Sequence, residues 1–429
     1  MLQYSMQEFT SVILACGVGF FLGNLWYSHQ ERNSSNAKEN RTHLRNMNKN
    51  NDKDIYVGID LGGTTVGVAL INSFGKILNT TSSNIADSNR LRCVAANTKS
   101  PTKIQKNSNV NSRSFDNVVA LIIVLIHEAI QSSTIRDLEL SQIAGFGIGA
   151  PGLLDTTNGI IMGIANFDWT NVHITEEIAK RLHVDPSKVC LENDANAALL
   201  AEMWVGAGKG EKNVVMLTLG TGVGCAIMSD GQLFRGDSGD AGEIGHTIIV
   251  PNGRAHGTTG VRGIFEGYAS ATAVVSRTKE KLQSDSHVFS PLRESHLVGN
   301  LSCAKIFQHA GMLDGGEGSS NTVCNIAKSI VQETIEYIGI GCINVCRCYD
   351  PAIVILTGGM TLAGPPLLNA IRNAYCQHHW NITKANGKRL IFAKCGSDAG
   401  MVGAAAAAFF KAKRSLNINT GIDTTFLNG

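Results

Sequence analysis

The chain alternates between segments able to bury a core and segments that cannot. Residues 10–25 (TSVILACGVGFFLGNL) are apolar and uncharged, and Trp26 and Tyr27 follow. An aromatic pair ending an apolar run suits a membrane interface, yet the run falls short of the roughly 20 residues of a spanning helix. No Lys or Arg precedes it, as one would in a targeting signal. The expectation for 1–28 is a membrane anchor or targeting segment, with 10–27 as the anchoring stretch. Residues 29–53 are polar, Asn-rich and basic. They cannot bury a core and read as a disordered tether. If the anchor spans, this basic flank puts the folded body on the cytosolic side; organelle targeting is the alternative.

The folded body begins near Asp54. IYVGIDLGGTTVGVALI alternates apolar and small residues around a glycine pair and predicts two strands joined by a hairpin. Residues 84–114 are polar and predict a surface insertion. NVVALIIVLIHEAIQ has helical spacing, and IAGFGIGAPG predicts a buried strand ending in a Pro-Gly turn. VVMLTLGTGVGCAIMSDG repeats the strand–glycine–strand unit, and PAIVILTGGM is a third apolar strand ending in a glycine pair. Such units in both halves predict two related α/β domains facing across a cleft.

Composition narrows the function. The formal net charge is only +2, and no basic stripe runs through the body, so electrostatic nucleic-acid binding is excluded. The 11 cysteines include Cys93, Cys190, Cys225, Cys342 and Cys346, without paired metal-ligand spacing. They read as reduced thiols. With 46 glycines and 8 prolines, the chain favours tight turns around ligands over a proline-rich linker.

The candidate chemistry lies in the glycine turns. Asp60, Gly62, Gly63, Thr64 and Thr65 form the first. Its glycines admit a phosphate close to the backbone N–H groups, the threonine hydroxyls add donors, and Asp60 can hold Mg²⁺ through water. Gly220, Thr221 and Gly222 offer the same donors in the second unit. Neither turn has the Gly-x-x-x-x-Gly-Lys pattern of a P-loop. A strand follows the first turn, which also disfavours a dinucleotide fingerprint. Asn193 and Asp194 open a predicted helix, where either can serve as the cap. Taken alone, His246 reads as an ordinary core histidine and Glu266 as a surface charge.

In combination the motifs DLGGTT, GIGAPG, ENDANAA, LTLGTGVG, GEIGH, FEGYAS, LTGG and DAGMVGAAA resemble the ROK family of sugar kinases and repressors. That family lies within the actin-like ATPase superfamily, and the match runs from about Ile55 to Phe410. The resemblance implies an α/β, actin-like (ribonuclease H-like) two-domain sugar kinase fold with an interdomain cleft. It implies ATP and Mg²⁺ as cofactors and glucose or a related hexose as substrate, with a homodimer as the assembly. Asp194 becomes the general base toward the sugar hydroxyl. A hydroxyl is a poor nucleophile, so a positioned carboxylate suits that task. Asn166, Asn193, Glu243, His246 and Glu266 become sugar contacts, and Gly358 and Gly359 the pair along the adenosine.

One stretch departs from the family. Most ROK kinases carry C-x-C-G-x-x-G-C between the GEIGH and FEGYAS motifs. Here His256 to Ile264 (HGTTGVRGI) contains no cysteine. His246 and His256 are too few for a structural zinc site, so no zinc is expected, and apolar packing around Ile264 should stand in for it. The expected division is a small domain over 54–205, completed by 398–412, and a large domain over 206–397. The expected activity is phosphorylation of glucose to glucose 6-phosphate. Kinases of N-acetylmannosamine, N-acetylglucosamine or fructose are the alternatives. A sugar-sensing repressor is disfavoured because 1–54 shows no pair of amphipathic helices, and a non-catalytic sugar sensor because Asp60, Asp194, both glycine turns and the Glu/His set are all present.

Overall fold

The computed structural model describes residues 54–86, 113–164, 167–239, 241–313, 324–378 and 389–420. The expected anchor, the tether, residues 87–112 of the insertion and Asn166 lie outside them. Among the described residues, no helix is long and apolar enough to cross a membrane. The chain from Ile55 onward forms one compact unit.

The first half comprises β1 (Ile55–Leu61), β2 (Thr65–Asn72), β3 (Ile77–Asn84), α1 (Phe115–Gln131), β4 (Ile143–Ala150), β5 (Leu153–Asp155), β6 (Ile160–Ile164), β7 (Phe167–Val172), α2 (Ile174–Leu182), β8 (Val189–Asn193) and α3 (Asp194–Trp204). The second half adds β9 (Val214–Leu219), β10 (Val223–Ser229), β11 (Gln232–Leu233), α4 (Glu266–Ala269), α5 (Ala271–Ser284), α6 (Leu292–Leu297), α7 (Cys303–His309) and α8 (Asn325–Tyr349). It ends with β12 (Ile353–Thr357), α9 (Gly364–Gln377), β13 (Leu390–Phe392) and α10 (Ala399–Thr420).

Each half is built on a five-stranded sheet, ordered β3-β2-β1-β4-β8 and β11-β10-β9-β12-β13. In both, the first three strands are antiparallel and the last two run parallel to the first strand. The sequence-level repeat of strand–glycine–strand units is therefore a repeat of topology. The central strands β1 and β4 are buried almost throughout, as a sheet covered on both faces requires. The polar edge strand β3 gave no such signal in the sequence. It pairs only with β2, and an edge of Asn, Thr and Ser discourages pairing with another chain.

Helix α1 follows its apolar spacing. Val118, Leu121, Ile122, Leu125, Ile126 and Ala129 are buried on one face, and the Ser114 side chain caps its start. Burying each of the larger side chains contributes about 1.5–3 kcal/mol.

Helix α10 is placed by small residues. A Cβ on Gly58 of β1 would lie 1.9 Å from the Met401 carbonyl oxygen, and one on Gly147 of β4 would lie 1.7 Å from that of Ala404. The helix therefore rests on bare strand backbone. Its Gly403 meets the Ala197 carbonyl of α3 just as closely. Glu202 fastens the far end of α3. Only 1% exposed, it accepts the N–H groups of Ala207 (2.6 Å), Lys394 (2.8 Å) and Cys395 (2.7 Å). That ties α3 to the segment entering α10.

Because an added Cβ at position 403 would stand 1.7 Å from a backbone oxygen, Gly403→Val should cost about 3 kcal/mol. Urea unfolding should show a lower midpoint with an unchanged slope. An unchanged midpoint would contradict this packing.

Candidate active site

Strands β1, β4 and β8 run parallel, with Asp60 opposite Gly149 and Ala150 opposite Asn193. Their C-terminal ends thus bring Asp60, Asn193 and Asp194 to one edge, where ligands of open α/β sheets bind. Asn193 is the helix cap: its Oδ1 accepts the N–H groups of Ala195 (3.0 Å) and Asn196 (3.3 Å). Asp194, the first residue of α3, accepts the Ala195 N–H at 2.8 Å.

The Asp194 side chain is exposed to solvent, although neighbouring protein crowds its carboxyl. Burial pushes its pKa above the usual aspartate value. Bonds from Ala195 and Asn193 oppose the rise, and the charge of Glu243 adds to it. The Asp60 pKa is raised too, first by burial and then by the charge of Asp194. Gly400 at the start of α10 makes room for this carboxylate, since a Cβ there would lie 2.3 Å from Asp60 Oδ2.

The glycine turns flank these acids. In the first, Gly62 N–H donates to the Thr65 carbonyl at 2.9 Å, and Thr64 and Thr65 stay exposed. In the second, Gly220 N–H donates to the Gly222 carbonyl at 3.0 Å, and the Gly220 carbonyl accepts the Ala271 N–H at 2.8 Å. Thr272 Oγ1 donates to the Thr221 carbonyl at 2.7 Å, which anchors this turn on α5. Gly358, at φ 98°, packs against Leu219, where a Cβ would lie 2.5 Å from the carbonyl oxygen. That sets the Gly358–Gly359 pair beside the second turn. An open cavity of about 420 Å³ adjoins it, lined by Thr221, Thr272, Val275, Ser276, Lys279 and Cys303 among others. Burial pushes the Cys303 thiol up to about 12, so this wall presents no nucleophile.

The remaining predicted residues separate into two pairs. Glu243 Oε2 lies 2.8 Å from His246 Nδ1, and both side chains are largely exposed. Glu266 touches neither: its Oε1 lies 3.0 Å from His256 Nε2, and its Oε2 accepts the Val223 N–H at 2.8 Å. The rings of His246 and His256 are 6.4 Å apart, which brings the pairs into one wall. Ile264 is buried, 1% exposed, and bridges to Ile248. Among the described residues, no group of three or more His, Cys, Asp or Glu side chains is able to hold a metal.

Sequence reasoning missed the ion pair next to Asn193 and Asp194. Glu192 is 3% exposed, and its Oε1 accepts from Asn193 N–H (3.1 Å) and Asn196 Nδ2 (3.0 Å). Its Oε2 pairs with Arg235, which follows β11 of the second sheet. The pair joins the two halves one residue before Asn193. Its signal was a glutamate at the end of an apolar strand, where a buried charge demands a partner.

The two repeated sheets, the acids at their strand ends and the paired glycine turns define a class of phosphate- and hydroxyl-binding α/β enzymes. The sequence profile of the ROK family matches residues 56–411, and the chain belongs to that family. It is 30% identical to a glucokinase of Halalkalibacterium halodurans, over 81% of this chain and 93% of that protein. It is 33% identical to a glucokinase of Thermotoga maritima, over 74% of this chain and 85% of that one. A ROK family glucokinase from Streptomyces griseus, solved with glucose and AMPPNP, superposes with a TM-score of 0.60 at 25% identity, covering 82% of this chain and 98% of the other. The fold is the actin-like α/β fold of ROK sugar kinases.

The raised Asp60 pKa has a consequence for stability. Above that raised value the ionised carboxylate opposes folding, and the opposition fades as pH falls through it. Asp60→Asn should therefore melt at a higher temperature than wild type at pH 7, and the gain should vanish below about pH 4. Thermal unfolding across pH checks this, and a lower melting temperature at pH 7 would contradict it.

Proposed function

We propose that this chain is an ATP-dependent hexose kinase that phosphorylates glucose to glucose 6-phosphate, with Asp194 as general base. The observation that carries the reading is the Asp194 carboxylate, held by the Ala195 N–H at the mouth of α3 with its pKa raised by burial and Glu243. A raised pKa makes the carboxylate a stronger base. The relatives named glucokinase support glucose as the acceptor.

The side chains fit both substrates and the metal. Asp60 carries negative charge that burial and Asp194 make unfavourable, and a hard divalent cation would relieve it. Bound through water at Asp60, Mg²⁺ would supply charge neutralisation at the phosphates. The N–H groups of Gly63 and Gly222 and the hydroxyls of Thr64, Thr65 and Thr221 would hold the phosphate oxygens, while Gly62 and Gly220, whose N–H groups close the two turns, would let the phosphates approach the backbone. The cavity beside Thr221, together with Gly358 and Gly359, would take the nucleoside. Asn193, Glu243, His246 and Glu266 would bond the sugar hydroxyls, with Asn166 as a further contact.

Asp194 would take the proton of the attacking primary hydroxyl as its oxygen bonds to the γ-phosphorus and the bond from that phosphorus to the β,γ-bridging oxygen breaks, releasing ADP. Base assistance contributes roughly 10²–10⁴-fold, and positioning with charge stabilisation supplies the remainder. The proposal divides the body at about residues 205 and 397, with 398–412 completing the first half. The packing of α10 on β1 and β4 supports that division. Closure of the halves over the sugar would exclude water and limit wasteful ATP hydrolysis.

A coupled assay with Mg·ATP and a sugar panel should show selective turnover of glucose, indifferent to a zinc chelator. Asp194→Asn should lose roughly 10²–10⁴-fold in kcat while keeping glucose affinity within about tenfold. Full activity of that variant would remove Asp194 from its role. Preference for an N-acetylated sugar would overturn the choice of glucose.

A further inference from the structure

The segment between β11 and α4 contains the loop that departs from the family's cysteine spacing, and a pair of side chains closes it. His256 Nε2 stands 3.0 Å from Glu266 Oε1, with the two side chains 15% and 19% exposed. The other oxygen of the same carboxylate accepts the Val223 N–H at 2.8 Å. Glu266 therefore joins the loop to the first residue of β10, directly behind the second glycine turn. The fit leaves no slack, since a Cβ on Gly222 would lie 2.3 Å from Glu266 Oε2.

The proton on His256 follows from its other nitrogen. The Thr259 backbone N–H approaches Nδ1 at 3.3 Å, and a backbone N–H can only donate. Nδ1 is then the acceptor, and the ring proton sits on Nε2. Nε2–H donates to Glu266, so a neutral imidazole suffices for the contact. A second fastening runs in the same direction. Arg254 Nη2 bonds Ser276 Oγ (3.0 Å) and Glu280 Oε1 (2.6 Å) on α5, and Ser276 lines the cavity beside Thr221.

We propose that His256 is a positioning residue that clasps Glu266 between the 247–265 loop and the second glycine turn. A hydroxyl group engaging Glu266 and a phosphate engaging Gly220–Gly222 then meet one preassembled unit. The inference rests on the kinase reading of the site and extends it to the preorganisation of both substrate sites. Without the clasp, Glu266 is free to change rotamer, and each ligand must order it at a cost to its own binding. With it, Glu266 is ordered before either ligand arrives, and neither ligand pays that cost.

The test compares wild type, His256→Leu and His256→Gln as full chains. Leu fills similar space without a donor, whereas the Gln amide can reach Glu266. In His256→Leu the 220–224 backbone should exchange its amide hydrogens about tenfold faster. The KM for glucose should rise about tenfold with kcat changed less than about threefold, and AMPPNP should bind more weakly than to wild type in the absence of glucose. His256→Gln should recover most of each quantity. Wild-type exchange and KM in a folded His256→Leu would overturn the clasp. So would a folded His256→Gln that behaves like His256→Leu. If the Leu variant fails to fold, the Gln variant decides alone: exchange matching wild type supports the clasp, and faster exchange overturns it. The exchange measurement needs no turnover, so a wild type inert toward every hexose contradicts the kinase reading without deciding the clasp.

Discussion

A helix lying directly on strand backbone sets the positions of Asp60 and Asp194. Gly58 and Gly147 let α10 descend onto β1 and β4, and Gly403 lets it touch α3. That descent brings Gly400 against the Asp60 carboxylate and fixes α3, whose first residue is Asp194. Side chains at any of these contacts would lift the helix and open the spacing between the two carboxylates. Dense surroundings then raise both pKa values. The fold holds these charges where unconstrained packing would neutralise or separate them. Such placement costs stability and is a mark of functional sites.

Much of this was legible in the sequence because it depends on periodicity and on glycine. The strands around both glycine turns and the helix over Phe115–Gln131 follow from local pattern. The repeated topology follows from finding the strand–glycine–strand unit twice. β3 was not legible, because an edge strand of Asn, Thr and Ser has the composition of a loop. The Glu192–Arg235 pair was hidden for another reason: its partners lie 43 positions apart, and nothing local announces the contact.

The loop after His246 shows how a resemblance can direct attention and still leave the physics open. The expectation of no structural zinc rested on counting ligands, since His246 and His256 fall short of four. It did not say what closes the loop. Packing at Ile264 is part of the answer. The polar part is His256 against Glu266, with backbone bonds such as His256 N–H to the Val261 carbonyl at 2.9 Å. Pairing a histidine with a carboxylate that also holds a glycine turn needs only two side chains, whereas a closed metal site needs four ligands.

The most direct test of the account is the pH dependence of kcat/KM for glucose at saturating Mg·ATP. The base must be ionised to accept a proton, so activity should fall as pH drops through the Asp194 pKa. With that pKa raised by burial and by Glu243, the acid limb should follow a single ionisation lying above about pH 4. A profile flat down to the ordinary aspartate value, or activity that rises on acidification, would contradict the central role given to this carboxylate.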